Sequence, residues 1–168
     1  EFLGTHLQLQ PSEFFWFFLA TISGIMGGAF VSGRLAGKIA PRHQIRHGFL
    51  IMLLVALVNL VLNLLLPAHV SWALIPISIF SFGWSLMVPV VTLLVLDLFP
   101  ERRGMASSLQ AAIGSAANGV VAGVLAPLVM HSTQLLALTS LLLMLVGLGA
   151  WLLVLKRWPD TGRLPKPV

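Results

Sequence analysis

Residues 14–66 read FFWFFLATISGIMGGAFVSG, then RLAGKIAPRHQIRH, then GFLIMLLVALVNLVLNLLL: two long apolar runs joined by a basic stretch. A helix needs about 20 apolar residues to cross the hydrocarbon of a bilayer, and each run approaches that length. Lipid cannot satisfy open backbone groups, so both runs are predicted to be helical. The same pattern continues to the C-terminus, which predicts an all-α, polytopic membrane protein. The five predicted spans are Phe14–Gly33, Gly48–Leu66, Trp72–Leu96, Gly104–Val129 and Leu135–Leu155.

The positive charges fix the predicted orientation. All 10 Lys and Arg residues lie in the stretches 34–46, 102–103 and 156–166, and none lies in the alternate connections at 67–71 and 131–134. Loops rich in Lys and Arg stay in the cytoplasm. We therefore expect a cytoplasmic C-terminus and an external N-terminus. Because the chain opens on Glu1 without a charged leader, we interpret it as the back end of a longer protein.

Composition excludes several classes of protein. Charged residues make up 9% of the chain and hydrophobic residues 58%, against about 25% charged in a soluble domain. The net charge of +5 is assigned to contact with membrane lipids, so no nucleic-acid partner is expected. The chain has no Cys, and His43 and His47 lack further ligands, so they are predicted to be solvated loop residues with no metal or cofactor. No catalytic constellation is found, and an enzyme is not expected.

The five spans differ in composition. Leu dominates spans two and five, which favours contact with acyl chains. Small residues recur every fourth position in span one, at Gly24 and Gly28, and in span four, at Gly119 and Gly123, which predicts close helix packing. Span three carries Pro76 and Pro89, and kinks are expected there.

Polar residues inside the spans are the candidate functional groups. Gln110, Gly114 and Asn118 form a stripe on span four with Ser115 nearby, which suits a cavity wall and a helix–helix contact equally well. Trp84, in the middle of span three, either packs in the protein or stacks on a substrate. The amides of Asn59 and Asn63 share one face of span two, and we expect hydrogen bonds to a neighbouring helix. No acid or base lies at mid-membrane, so a proton relay would need a titratable group from elsewhere.

Two loop motifs resemble those of a known family. The stretch Gly33-Arg34-Leu35-Ala36-Gly37-Lys38-Ile39-Ala40-Pro41-Arg42 resembles the Gly-x-Leu-Ala-Asp-Arg-x-Gly-Arg loop of the major facilitator superfamily. Gly37 stands at its usual acidic position and Ala40 at its second glycine. The stretch Leu96-Asp97-Leu98-Phe99-Pro100-Glu101-Arg102-Arg103-Gly104-Met105-Ala106-Ser107-Ser108-Leu109-Gln110 looks like the junction of helices ten and eleven in bicyclomycin-resistance-type drug:proton antiporters of bacteria.

The resemblance implies an architecture. The chain would supply helices eight to twelve of the family's C-terminal six-helix bundle: residues 1–12 an outer loop, 13–157 the transmembrane part and 158–168 a cytoplasmic tail. Asp97 would lie near Arg34 or Lys38. The missing N-terminal half of the same protein would be the partner bundle.

The resemblance also implies a function, namely proton-coupled multidrug efflux across the bacterial inner membrane, with protons and a drug-like small molecule as the transported species. The cavity wall would consist of Trp84, Gln110, Ser115 and Asn118. Two alternatives stay open: a small helical subunit that scaffolds partner helices, and a carrier for sugars or metabolites of the same superfamily. A pore would need rings of carbonyls or charges that the sequence lacks.

Overall fold

A computed structural model describes residues 15–65 and 70–162, and every regular element in these ranges is helical. Five segments are long and apolar enough to cross a membrane, which confirms the predicted class and span count. The expected outer loop at 1–12, the connection at 66–69 and the tail beyond 162 lie outside the described residues. The helices are α1 Phe15–Leu35, α2 Pro41–Leu65, α3 Val70–Leu98, α4 Arg103–Val120, α5 Ala126–Val129 and α6 Thr133–Arg157.

Helix α2 begins at Pro41, so the prediction that the second span starts at Gly48 and that His43 and His47 lie in a loop was wrong. Proline is favoured in the first turn of a helix, where its missing N–H needs no partner. The preceding turn is short because Gly37 adopts a left-handed conformation with φ 74°. Glycine takes this conformation without steric cost, and it ends α1 after Leu35.

Helix α3 is the centre of the packed part of the molecule, with α1 on one side and α2 on another. Helix α6 packs on α2. The hydrophobic core therefore lies between α2, α3 and α6, and Ile45 at its basic end is fully buried. Pro76 and Pro89 both lie inside the unbroken helix α3.

The fourth span, Pro100–Val129, is built from several pieces and packs little. It opens with a 3-10 turn at Pro100–Arg102, continues as α4, widens into a π-helical turn at Val121–Leu125, and ends as α5. The π turn precedes Pro127, whose ring would clash with the carbonyl one turn earlier in a regular α-helix, so the wider turn relieves that clash. None of the most apolar stretch of this span is buried by the described residues.

Candidate functional site

The small-residue face of α1 lies directly against α3. A methyl group added to Gly24 would overlap the carbonyl oxygen of Ser78, and one added to Gly28 would overlap that of Phe82. Only glycine at these two positions permits this backbone approach. The seam between α1 and α3 is therefore a fixed surface.

A buried polar cluster closes the basic end of this seam. The Gln44 side chain, 2% exposed, donates from Nε2 to Ser32 Oγ at 2.6 Å and to the Leu86 carbonyl at 2.9 Å, which links α2 to both α1 and α3. Ser85 donates to the Ile25 carbonyl at 2.8 Å. Gln44 was not among the predicted functional residues, because the basic stretch around it was predicted to be a loop. The available signal was Pro41, which starts a helix that turns Gln44 inward.

The four predicted cavity residues lie on α3 and α4. Trp84 is 46% exposed, and Ser115 and Asn118 are exposed as well. Gln110 is half-buried and donates from Nε2 to Thr92 Oγ1 on α3 at 3.0 Å. Its Oε1 is buried and has no hydrogen-bond partner among the described residues. The structure thus joins Gln110 to α3 by a hydrogen bond and leaves the side chains of Ser115 and Asn118 exposed.

Helix α4 has two unlike faces. At 100° per residue, the stripe of Gln110, Gly114 and Asn118 lies within one quadrant of the helix. The opposite side carries exposed apolar residues, namely Met105, Leu109, Ile113 and Val120. Ala106 is the one residue of α4 that is buried by the described parts of the chain. The polar stripe therefore remains uncovered over most of its length.

The glycines of the fourth span behave differently from those of α1. A methyl group added to Gly119 or Gly123 would meet no described atom within 4 Å. The close packing expected at these two positions is absent among the described residues, so whatever they face is not part of the described structure.

Among the described residues, the side-chain amides of Asn59 and Asn63 do not bond a neighbouring helix, contrary to expectation. Asn63 Nδ2 donates to the carbonyl and to the Oδ1 of Asn59, at 2.8 Å and 3.1 Å, within the same helix. The bond that crosses between helices runs from Gln134 to the main-chain carbonyl of Asn63, at 3.4 Å. Two amides one turn apart satisfy each other locally, which removes most of the need for a neighbour.

The loop motif between α1 and α2 is largely exposed. The Arg34 guanidinium stacks over the Phe30 ring at 4.4 Å from its centroid. Gly33 has nothing near it, Leu35 is half-buried, and the main-chain N–H of Lys38 donates to the Leu35 carbonyl at 2.9 Å. Arg42 follows within the first turn of α2.

Asp97 does not bind the loop between α1 and α2. Its carboxylate accepts from Arg103 at 2.9 Å across the junction of α3 and α4, so the expected pairing with Arg34 or Lys38 was wrong. The partner six residues along the chain is held near by the short turn at Pro100–Arg102. Both side chains are more than half exposed, so the pair contributes little to stability.

No group of three or more metal-ligating side chains occurs among the described residues. Of the two histidines in the basic stretch, His43 is half-buried and His47 exposed, both on α2. The groups that remain open to a ligand are the polar side chains of the α4 stripe, which can form hydrogen bonds, and the exposed ring of Trp84, which offers an aromatic surface.

The sequence model of the Major Facilitator Superfamily matches residues 2–122, which include the loop motif, the α1–α3 seam and most of the fourth span. No curated protein matches the chain. No solved structure matches it.

Proposed function

Because the chain belongs to the major facilitator superfamily, a family of membrane transporters, we propose that it forms one wall of a proton-coupled exporter of drug-like small molecules. Such carriers work by alternating access, in which two helical bundles rock about a site near the middle of the membrane. The drug-exporter assignment is supported by the similarity of residues 96–110 to the junction motif of bicyclomycin-resistance-type antiporters.

The contrast between α1 and the fourth span carries the proposal. The small residues of α1 lie in contact with α3, whereas most of the polar stripe of α4 is left exposed by the described residues. An amide exposed to hydrocarbon without a partner costs several kcal/mol, of order 2–7 by transfer estimates. A water-filled path between two bundles removes that cost. In this proposal α4 therefore lines the path, and a second bundle, from polypeptide outside residues 1–168, faces it.

Each candidate residue then has a role. Thr92 accepts from Gln110 Nε2 and so fixes this end of the polar stripe against α3. Asn118 and Ser115 offer further polar contacts along the same helix. The exposed ring of Trp84 suits stacking with an aromatic or cationic substrate.

Proton coupling needs a titratable group inside the membrane. Among the described residues, the acids Asp97, Glu101 and Asp160 all lie near the basic end of the helices. The proposal therefore places the proton acceptor in the second bundle. The basic end, by its Lys and Arg content, is proposed to face the cytoplasm of a bacterial cell.

One observation favours a second candidate, a helical subunit that scaffolds other membrane proteins. Gly119 and Gly123 present a small-residue face with no described neighbour, as an intermolecular helix contact would require. The two candidates depend on different residues. A scaffold needs the small face of Gly119 and Gly123, whereas a carrier needs the amides of Gln110 and Asn118.

The test is the drug resistance of cells that express the whole polypeptide with Asn118→Leu. The substitution should lower the exported flux about tenfold, because it removes a polar contact with the substrate, while membrane insertion is unchanged. Ala112→Leu is the matched control, since Ala112 lies on the opposite side of the same helix. Equal flux in both variants would remove Asn118 from the site. Loss of partner binding in Gly123→Leu with no drug flux in any variant would favour the scaffold.

A further inference from the structure

A cleft of about 370 Å³ opens between the first turns of α2 and the last turns of α6. Its wall is apolar along most of its length and includes Leu53, Leu148 and Leu152. Its end at the start of α2 is basic, with Arg42, His43 and Arg46, and the residues that line it include no acid. The cleft therefore has a positive end and a hydrocarbon-like end.

Arg42 carries an unmet hydrogen-bond donor at the positive end. Its Nε is buried and has no partner among the described residues. A buried donor without a partner is costly, so an acceptor at this point would be stabilised. The main chain of Arg42 is fixed, because its N–H donates to the Gly162 carbonyl at 3.1 Å.

Gly162 makes that anchor possible. It adopts φ 68°, and a methyl group added to it would lie 2.9 Å from the Arg42 nitrogen. The turn after α6 thus packs on the start of α2 and holds the two helices together at the basic end of the cleft. The N-terminus of a helix also carries a partial positive charge, which adds to that of the two arginines.

We propose that this cleft binds a membrane phospholipid with an anionic headgroup. Its phosphodiester would lie between Arg42 and Arg46, and one acyl chain would run along Leu53, Leu148 and Leu152. The neighbouring outer surfaces of α2 and α6 are exposed and rich in leucine, such as Leu54 and Leu153, so lipid is the medium that borders the cleft. Basic pockets between transmembrane helices at this level select anionic lipids. A free anion would make no use of the apolar wall.

The test is native mass spectrometry of the purified whole polypeptide with equal amounts of phosphatidylglycerol and phosphatidylcholine that carry the same acyl chains. We expect phosphatidylglycerol to be retained about fivefold more, because both lipids offer a phosphodiester but phosphatidylcholine also places a choline cation beside the arginines. The double variant Arg42→Gln/Arg46→Gln should bring the ratio close to one. The control Arg102→Gln/Arg103→Gln removes the same charge at the same end and should keep the preference.

A second pair of variants tests the apolar wall without a change of charge. Leu152→Trp occupies part of the groove and should lower the bound phosphatidylglycerol about fivefold, whereas Leu145→Trp, on α6 outside the cleft, should not. The proposal is overturned if both lipids bind equally to the parent protein. It is also overturned if the two double variants change the lipid ratio equally, or if Leu152→Trp leaves the amount of bound phosphatidylglycerol unchanged. Displacement of the lipid by inorganic phosphate would overturn it as well.

Discussion

The first span, α1, and the fourth span, Pro100–Val129, look alike in sequence and differ in structure. Both carry small residues every fourth position, yet Gly24 and Gly28 lie against α3 while Gly119 and Gly123 lie against nothing described. The glycines themselves do not explain this difference in packing, because their spacing is the same in both spans. In the middle of α1 the polar side chains, Thr21 and Ser23, donate to carbonyls of their own helix, whereas α4 carries the amides of Gln110 and Asn118. A small-residue ladder thus allows close packing, and the polarity of the rest of the helix decides what packs there.

The largest expected effect comes from the same substitution in both ladders. Gly28→Ala should lower the free energy of unfolding by about 3 kcal/mol, because the added methyl group overlaps the Phe82 carbonyl, whose backbone cannot move freely. Gly119→Ala should leave stability unchanged or raise it by up to about 1 kcal/mol, since alanine is the better helix former and the added methyl group meets no described atom. Thermal unfolding in detergent measures both. Equal losses in the two variants would mean that α4 is packed as tightly as α1.

The spans could be predicted from the sequence, but the contrast between them could not, because Gly119 and Gly123 were expected to pack as closely as Gly24 and Gly28. The charge distribution and the apolar runs gave five spans with bounds close to those observed, and Pro100 with Gly104 marked the junction before the fourth span. The start of α2 could not be placed, because the basic residues of 42–47 suggested a solvated loop. Arg46 and His47 are exposed, but they belong to a helix that turns Gln44 and Ile45 inward.

The partners of the polar groups were less predictable than their positions. Asn59 and Asn63 were expected to bond across helices and bond each other, and Asp97 was expected to bind Lys38 or Arg34 and binds Arg103. In each case a partner close in the chain replaces a distant one, because a short separation costs less conformational entropy to close. Periodicity shows which face a residue occupies, but the register between helices decides its partner.

A smaller difference in stability is expected between leucine variants of the two glutamines, Gln44 and Gln110. Gln44→Leu should destabilise the protein by about 2 kcal/mol, since it leaves the Leu86 carbonyl and Ser32 without their buried donor. Gln110→Leu removes one bond to Thr92 and a carbonyl oxygen with no partner, so the expected loss is below about 1 kcal/mol.

Chemical denaturation measures the free energy of unfolding of each variant. Gln44→Glu is the control, because it keeps the shape of the side chain and removes the amide donor. If Gln110→Leu proved the more destabilising of the two, α4 would be an integral part of the packed core.

The most direct test of the central claim, that one face of α4 borders an aqueous path, uses the absence of cysteine from residues 1–168. In the whole polypeptide, freed of any other cysteine, Asn118→Cys should react with a water-soluble, membrane-impermeant maleimide. Val120→Cys, on the apolar side of the helix, and Ser85→Cys, buried under α1, should not react. A bound substrate should slow the labelling at position 118. An unreactive Asn118→Cys, or equal labelling of Asn118→Cys and Val120→Cys, would contradict the account.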